Sequence, residues 1–378
     1  MIYLTYNDAP SGIYFSQVTD VCKYVNVQFH CNIRLVALIS IRAFGKNKKH
    51  IKEKFPSAIV LPMFPKNKNW ALNGFILKIL FLFIGKQNIW SRGLFATNIA
   101  LNMKNSGWTK KVVFDARGAY KAEFDEYLSK VVDIKDNIAE LEKRAIYDSD
   151  FRLAVSKKLV NYWEKEYKYS SPNHSIIPCT INEDTNKSIL QEEKLTTTKK
   201  ELGFKLDDCV FVYSGSAADW QSLHLLDNLF LPYFITNPNF KLIILSQADI
   251  SQLKITQQFS ERIIKKWLKP SEVLDYLYAC DYGVLIRENS ITNKVASPTK
   301  FAEYLNAGLN VIISEHLGDF SEFVLKNNCG VMVDDYNKIH NFSNVAYKDK
   351  MRNKELASNY FKKDIYKSEY QKIINVLS

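Results

Sequence analysis

The chain has 378 residues, 47% of them hydrophobic and 24% charged, which excludes a disordered protein and leaves room for two domains with separate cores. Its net charge of +11 and isoelectric point near 9.1 call for an anionic partner without choosing among nucleotide, phospholipid surface, acidic glycan and nucleic acid. Six cysteines (Cys22, Cys31, Cys179, Cys209, Cys280, Cys329) form no C-x-x-C pair and no Cys/His metal spacing, so free thiols in a reducing, cytoplasmic compartment are expected.

In chain order, Ile2–Tyr6 reads as a first strand, followed by the Pro10-Ser-Gly12 loop and a helix to about His30. Nothing from Met1 to Asp8 resembles a basic n-region with a cleavage site, so no signal peptide is expected. Strands are expected at Arg34–Ile41 and Ala58–Met63, then an apolar helix at Trp70–Ile84. Its core, Phe75–Gly85, is interrupted by Lys78 and too short to span a bilayer. Lys46, Lys48, Lys49, Lys52, Lys54, Lys66, Lys68, Lys78, Lys86, Lys110 and Lys111 crowd this half, most of them flanking that helix in sequence. Two readings stand: a basic rim beside an exposed apolar helix resting on an anionic membrane, or a core helix with solvated lysines.

Strands at Asn88–Ser91 and Lys111–Asp115 bracket a helix at Leu94–Asn105. A long charged helical stretch follows at Tyr120–Asp148, then a strand at Arg152–Ser156, a helix at Lys157–Lys168 and a strand at Ser175–Cys179. From about Asn182 to Lys200 the chain turns polar, the best domain boundary in the sequence. The alternation then restarts, with strands at Cys209–Tyr213, Lys241–Leu245, Ile263–Trp267, Tyr282–Ile286, Val311–Ile313 and Val331–Val333. Helices are expected between them at Gln221–Phe234, Asp249–Ser260, Glu272–Ala279 and Ser321–Asn327. Strand–helix alternation twice over gives an α/β fold of two Rossmann-like halves, with ligands expected just beyond the carboxyl ends of the strands.

The most informative stretch is Ser297-Pro-Thr-Lys-Phe-Ala-Glu-Tyr-Leu-Asn-Ala-Gly308, a helix leading into the Val311–Ile313 strand. Ser297 is the expected N-cap, Pro298 the first helical residue, and Gly308 the left-handed residue that ends the helix. The free N–H groups and macrodipole of a helix start favour a phosphate near Ser297 and Thr299. Lys300 adds charge for it, and the Glu303 carboxylate, one turn in, can accept hydrogen bonds from a ribose. The rival is an ordinary amphipathic helix.

This motif resembles the donor-nucleotide helix of GT-B glycosyltransferases like those of glycosyltransferase family 4. The resemblance implies a GT-B fold, two Rossmann-like domains facing each other across a cleft. It assigns residues 1–183 to the acceptor, 184–358 to the nucleotide sugar, and a last helix within 359–378 (Tyr360–Val376) to a return onto the first domain. It gives Glu303 the ribose, and Leu268 and Val273, in the segment Lys266–Glu288, the wall against the base. Gly215 and Ser216, after the first strand of the second half, would let the backbone approach a diphosphate, although a tight turn explains them equally. Arg287, at a strand end, is the candidate diphosphate cation together with Lys300, the rival being an ion pair with Glu288.

Asp115-Ala-Arg-Gly118 and Glu123 resemble a segment of family members that build bacterial surface polysaccharides. That likeness implies a catalytic or acceptor-binding role for Asp115 and Arg117, acceptor contacts from Glu123 and, on fold analogy, from Gly12. A buried Asp–Arg pair is the rival. Three departures stand out: Val295 replaces a second glutamate, Ser216–Gln221 lacks the usual cations, and Asn310 replaces a proline. With Val295 in place, the donor-sugar contact would pass to Glu288 or Asn293. The implied activity is retaining transfer from a UDP- or GDP-sugar, without a metal, to a glycan or lipid-linked glycan of capsule or O-antigen type. A catalytically inactive GT-B scaffold that binds nucleotide sugar is the alternative; no nucleic-acid motif is present.

Overall fold

A computed structural model describes residues 1–64, 67–129, 136–182, 190–216 and 218–378. Lys66, residues 130–135 of the expected Tyr120–Asp148 helix, the boundary expected at 183/184 and Ala217 lie outside the described residues. The chain divides into two compact units, one of Met1–Asn182 with Lys363–Ser378 and one of Glu183–Lys362.

The first unit holds a seven-stranded sheet built from β1 (Ile2–Tyr6), β2 (Arg34–Ile39), β3 (Ile59–Pro62), β4 (Ile89–Arg92), β5 (Val112–Asp115), β6 (Phe151–Ala154) and β7 (His174–Ile176). All pairings are parallel in the order β3-β2-β1-β4-β5-β6-β7. Every residue of β1 is buried, as the near-continuous apolar runs of a sheet covered on both faces require. Successive side chains feed two cores: Tyr3, Leu35, Ala37 and Ile39 on one face, Ile2, Leu4, Val36 and Leu38 on the other. The covering helices are α1 (Asp20–Gln28), α2 (Phe44–Lys54), α3 (Gly74–Ile84), α4 (Leu94–Asn105), α5 (Ile138–Asp148) and α6 (Lys157–Tyr167).

Two expectations change here. Helix α2 was not foreseen, because only Ile51 of its eleven residues is buried and its lysines hide the periodicity. The Tyr120–Asp148 stretch is not one helix: Tyr120–Glu123 runs into a π turn at Phe124–Leu128, and α5 starts afresh behind Asn137, whose side chain accepts from Ala139 and Glu140 N–H.

Glu142 on α5 explains the short Tyr120 helix. Its fully buried carboxylate accepts from the N–H of Tyr120 and Lys121, at 2.9 and 3.0 Å, and from the Tyr167 hydroxyl at 2.8 Å. Burial pushes its pKa from the usual 4.5 up to about 7. A raised carboxyl pKa gives stability that is complete below the unfolded value and is lost as pH rises through the folded one. Between pH 4.5 and 7.5 the wild type should therefore lose up to about 3 kcal/mol that Glu142→Gln does not lose, read by urea unfolding at each pH. Parallel pH profiles for the two proteins would contradict this.

The second unit holds β8 (Cys209–Ser214), β9 (Phe240–Leu245), β10 (Ile263–Lys266), β11 (Tyr282–Leu285), β12 (Asn310–Ser314) and β13 (Gly330–Val333). They form a parallel sheet in the order β10-β9-β8-β11-β12-β13. Its helices are α7 (Glu192–Glu201), α8 (Leu225–Thr236), α9 (Pro270–Tyr278), α10 (Thr299–Asn306), α11 (Phe320–Asn327) and α12 (Tyr347–Phe361). The helix expected over Asp249–Ser260 shrinks to Lys254–Gln258. The chain then returns to the first unit through α13 (Lys367–Leu377), whose Tyr370, Ile373 and Ile374 join the core beside Tyr3 and Trp90.

Candidate functional site

Both strand orders reverse direction next to their first strand, between β1 and β4 and between β8 and β11. At such a switch point the connections leave in opposite directions and open a crevice at the strands' carboxyl ends, where open α/β sheets take ligands.

In the second unit the β8/β11 crevice is lined by Gly215 and Arg287. Arg287 is largely buried and is gripped on several sides. Its Nη2 donates to Gln221 Oε1 at 3.1 Å, its Nη1 to Asn293 Oδ1 at 3.3 Å, and its N–H to Ser314 Oγ at 2.7 Å. A Cβ on Gly215 would lie 2.7 Å from the Tyr213 hydroxyl and 3.2 Å from the same Gln221 oxygen, so only glycine fits there. Burial pushes the Tyr213 hydroxyl pKa up to about 12, with Arg287 opposing the shift. Glu288 does not pair with Arg287. Its N–H donates to Ser222 Oγ, and its half-exposed carboxylate faces His224 Nε2 at 3.3 Å.

Helix α10 is locked onto this crevice by Tyr304. The hydroxyl accepts from Ser214 N–H at 2.9 Å, and the ring fills the space beside Gly283 of β11, where a Cβ would lie 2.2 Å from it. Phe301, Ala302 and Leu305 are buried and form the face of the helix turned to the core. The cap differs: Pro298, with ψ of 126°, occupies the N-cap, and the helix starts at Thr299 rather than behind Ser297. The turn before it is pinned because Gly318 N–H donates to Asn293 O, and a Cβ on Gly318 would meet Ala296 O at 1.9 Å. Proline has no side-chain acceptor, so it leaves the first N–H groups of α10 uncapped. At the other end Gly308 takes φ of +85°, and Leu309 N–H returns to Tyr304 O as the left-handed ending demands. Lys300 Nζ lies 2.6 Å from Glu303 Oε2, both side chains about a quarter exposed.

Of the residues singled out in the sequence, Gly215, Arg287 and Glu288 surround the Gln221–Ser222 turn. Thr299, Lys300 and Glu303 sit on the helix that Tyr304 ties to the same strand end. Ser297 is buried ahead of that helix, and Val295 and Asn293 are buried beside Arg287's loop. Asn293 is committed to Arg287 and to Glu288 O, which leaves Glu288 as the carboxylate open to a sugar. Ser216 ends the turn after β8; Leu268 and Val273, partly buried, lie before and within α9.

In the first unit the β1/β4 crevice holds an alternating chain of charge. Asp115 is fully buried: Arg117 Nε lies 2.8 Å from its Oδ1, Arg117 Nη2 donates to Oδ2 at 3.0 Å, and the Tyr3 hydroxyl donates to Oδ2. Arg92 Nη1 lies 3.9 Å from Asp115 Oδ2, and Arg92 Nε 3.5 Å from Asp8 Oδ2. The Asp115–Arg117 pair therefore forms, leaving the mostly covered guanidinium edges and half-open Asp8 to meet a ligand. Burial raises the pKa of both Asp8 and Glu123. Glu123 approaches Gly118, whose added Cβ would lie 3.8 Å from its Oε2, and Gly12 opens a short exposed turn behind Ser11.

Sequence reading missed Arg92, although Arg92-Gly93 after an apolar strand gave the same signal as Arg287. It also missed Gln221 and Tyr304, which carry no local signal. Among the described residues no group of three or more His, Cys, Asp or Glu could hold a metal ion.

Solved structures share this architecture along nearly the whole chain. Sucrose-phosphate synthase from Thermosynechococcus elongatus superposes with a TM-score of 0.72 at 10% identity, over 99% of this chain and 98% of that one. The protein WaaG, described as a glycosyltransferase involved in lipopolysaccharide biosynthesis, gives 0.59 at 12% identity, over 98% and 94%. The fold is that of the GT-B glycosyltransferases. HepE from Anabaena, solved with UDP and glucose, shares this GT-B architecture with a TM-score of 0.70 at 11% identity, over 100% of both chains. Residues 238–375 match the family described as glucosyltransferase 3-like, C-terminal domain, which spans the part of the GT-B chain carrying Arg287, Lys300 and Glu303. No curated protein matches the chain.

Proposed function

We propose that this GT-B protein transfers a sugar from a nucleotide-sugar donor, UDP- or GDP-linked, to a glycan or lipid-linked glycan acceptor, with retention of configuration. The observation that carries this reading is Arg287, held by Gln221, Asn293 and Ser314 at the β8/β11 switch point beside a strand-end glycine that has no room for a side chain. A guanidinium fixed in that way needs no reorganisation as charge appears on the departing diphosphate. The uncapped N–H groups of α10 and Lys300 act on the same oxygens, and Glu303 accepts from the ribose. These cations and dipoles serve in place of a metal. A few kcal/mol of such stabilisation accelerates the step by about two to three orders of magnitude.

The HepE complex with UDP supports a nucleotide donor, and WaaG, named for lipopolysaccharide biosynthesis, supports a bacterial surface polysaccharide such as capsule or O-antigen. In the first unit Asp115 serves by holding Arg117 and Arg92, which meet the acceptor or its phosphate together with Glu123 and the Gly12 turn. A lipid-linked acceptor would be met at the inner face of the cytoplasmic membrane.

A second reading, a catalytically inactive GT-B scaffold, draws on buried Val295 and on the lack of cations in Ser216–Gln221. One experiment addresses both: thermal unfolding with a panel of nucleotides and nucleotide sugars, free of added metal, followed by transfer assays with the donor found. One diphosphate at 100 times its Kd should stabilise the protein by about 2.7 kcal/mol. Glu303→Ala should weaken binding about tenfold to a hundredfold, as expected for lost hydrogen bonds to a charged acceptor. Donor binding without turnover would favour the scaffold, and no shift with any nucleotide would sink both readings.

A further inference from the structure

Positive charge is not spread over this protein. Residues 21–114 contain sixteen Lys or Arg and a single carboxylate, Glu53, whereas the other 284 residues carry a net charge of −4. This stretch builds β2, β3, β4 and the helices between them, and it includes α3.

Helix α3 has two apolar faces. Leu77 and Phe81 point into the sheet core with Ile2, Leu4, Val36 and Leu38. At about 100° per residue, Phe75, Ile79, Leu82 and Phe83 fall within roughly 100° of arc on the other side. They are 67%, 41%, 71% and 82% exposed, and Leu72 and Phe64, at the start of the helix, are 62% and 72% exposed. Phe64 N–H donates to Asn73 Oδ1 at 2.8 Å, which holds it against that start. The sequence left open whether this segment is core or surface, and the structure makes it both. Lys78 lies along the edge of the exposed stripe, with Lys68 and Lys86 beyond its two ends.

We infer that this face of α3 docks on an anionic lipid bilayer, its aromatic and aliphatic side chains entering the headgroup–acyl boundary while the surrounding lysines meet lipid phosphates. Six large apolar side chains in one patch exceed what a solvated surface carries without a partner. A second copy of the chain would bring two such carboxylate-poor regions together, and like charge opposes that contact. An anionic bilayer satisfies both the apolar stripe and the charge. Among the described residues no helix is long and apolar enough to cross a membrane, so α3 would lie in the interface plane.

The inference deepens the proposed reading of a lipid-linked acceptor, and the two can fail separately. Full-length protein is sedimented with vesicles of phosphatidylcholine alone and of phosphatidylcholine with phosphatidylglycerol. Binding is expected on the mixed vesicles and should fall as salt rises. Phe75→Ser/Leu82→Ser/Phe83→Ser should lower partitioning at least about tenfold, and Lys78→Glu about fivefold, with unchanged melting temperatures. Transfer to a water-soluble acceptor fragment should be unaffected by either change. Three results would overturn the surface: no binding to mixed vesicles at low salt, a triple variant that binds like wild type, or lipid-free self-association that the triple variant abolishes. Vesicle binding without any sugar transfer would instead overturn the proposed activity and leave the surface standing.

Discussion

Replacing Arg287 with alanine should lower the rate of sugar transfer by about 10²- to 10³-fold while shifting the melting temperature by only a few degrees. The guanidinium is aimed by the uncharged side chains of Gln221 and Asn293, while Ser314 Oγ anchors the backbone N–H of Arg287. Its loss leaves the side-chain oxygens of Gln221 and Asn293 without this donor, a cost of the order of a hydrogen bond rather than of a core cavity. The effect should therefore fall on kcat, because charge on the leaving diphosphate grows only as the sugar departs. Arg287→Lys should recover less than about tenfold, since an ammonium cannot satisfy Gln221 and Asn293 while reaching a phosphate. Asn293→Ala should give a smaller loss, acting through the orientation of Arg287. Steady-state transfer rates with saturating donor decide the matter. Near-normal turnover in Arg287→Ala would remove the proposed phosphate role.

The largest effect on stability is expected from Gly283→Ala. A Cβ there would lie 2.2 to 2.8 Å from three atoms of the Tyr304 ring. The ring is fully buried and held at its far end by Ser214 N–H, so it cannot withdraw without orphaning that donor. About 3 kcal/mol of destabilisation follows from such overpacking, or a fall of about 6–12 °C in melting temperature for a unit of this size. Because Tyr304 fixes α10 over the crevice, nucleotide stabilisation should weaken in the same variant. Gly283→Ala/Tyr304→Leu should regain much of the melting temperature without regaining nucleotide affinity. A single variant that melts within about 2 °C of wild type would show that the ring has room to move.

The two substitutions separate what local sequence carries from what it does not. Gly283 was legible in principle, since a lone glycine inside an apolar strand marks a close approach. What approaches it was not, because Tyr304 is 21 residues further on and looks like any aromatic on a helix face. Arg287 stood out as a cation ending a buried strand. Gln221 lies 66 residues upstream and reaches it only because β8 and β11 are neighbours in the sheet.

The sequence by itself determined the class of the fold and the local form of its best motif. Apolar runs of four to six residues, separated by helical periods, specify parallel strands with crossover helices, and nearly every strand lies where its run predicted. Helix α10 and the left-handed Gly308 follow from contacts within a dozen residues, so they can be read from the chain directly. Tertiary structure decided the strand orders, and with them the two switch points that gather Arg287 with Gln221 and Arg92 with Asp8 and Asp115. It also decided which side of α3 faces the core, since a helix apolar all round carries no sequence signal for its orientation. Hydrophobic periodicity records what each element buries, whereas pairing between distant strands is chosen only when the whole sheet is assembled.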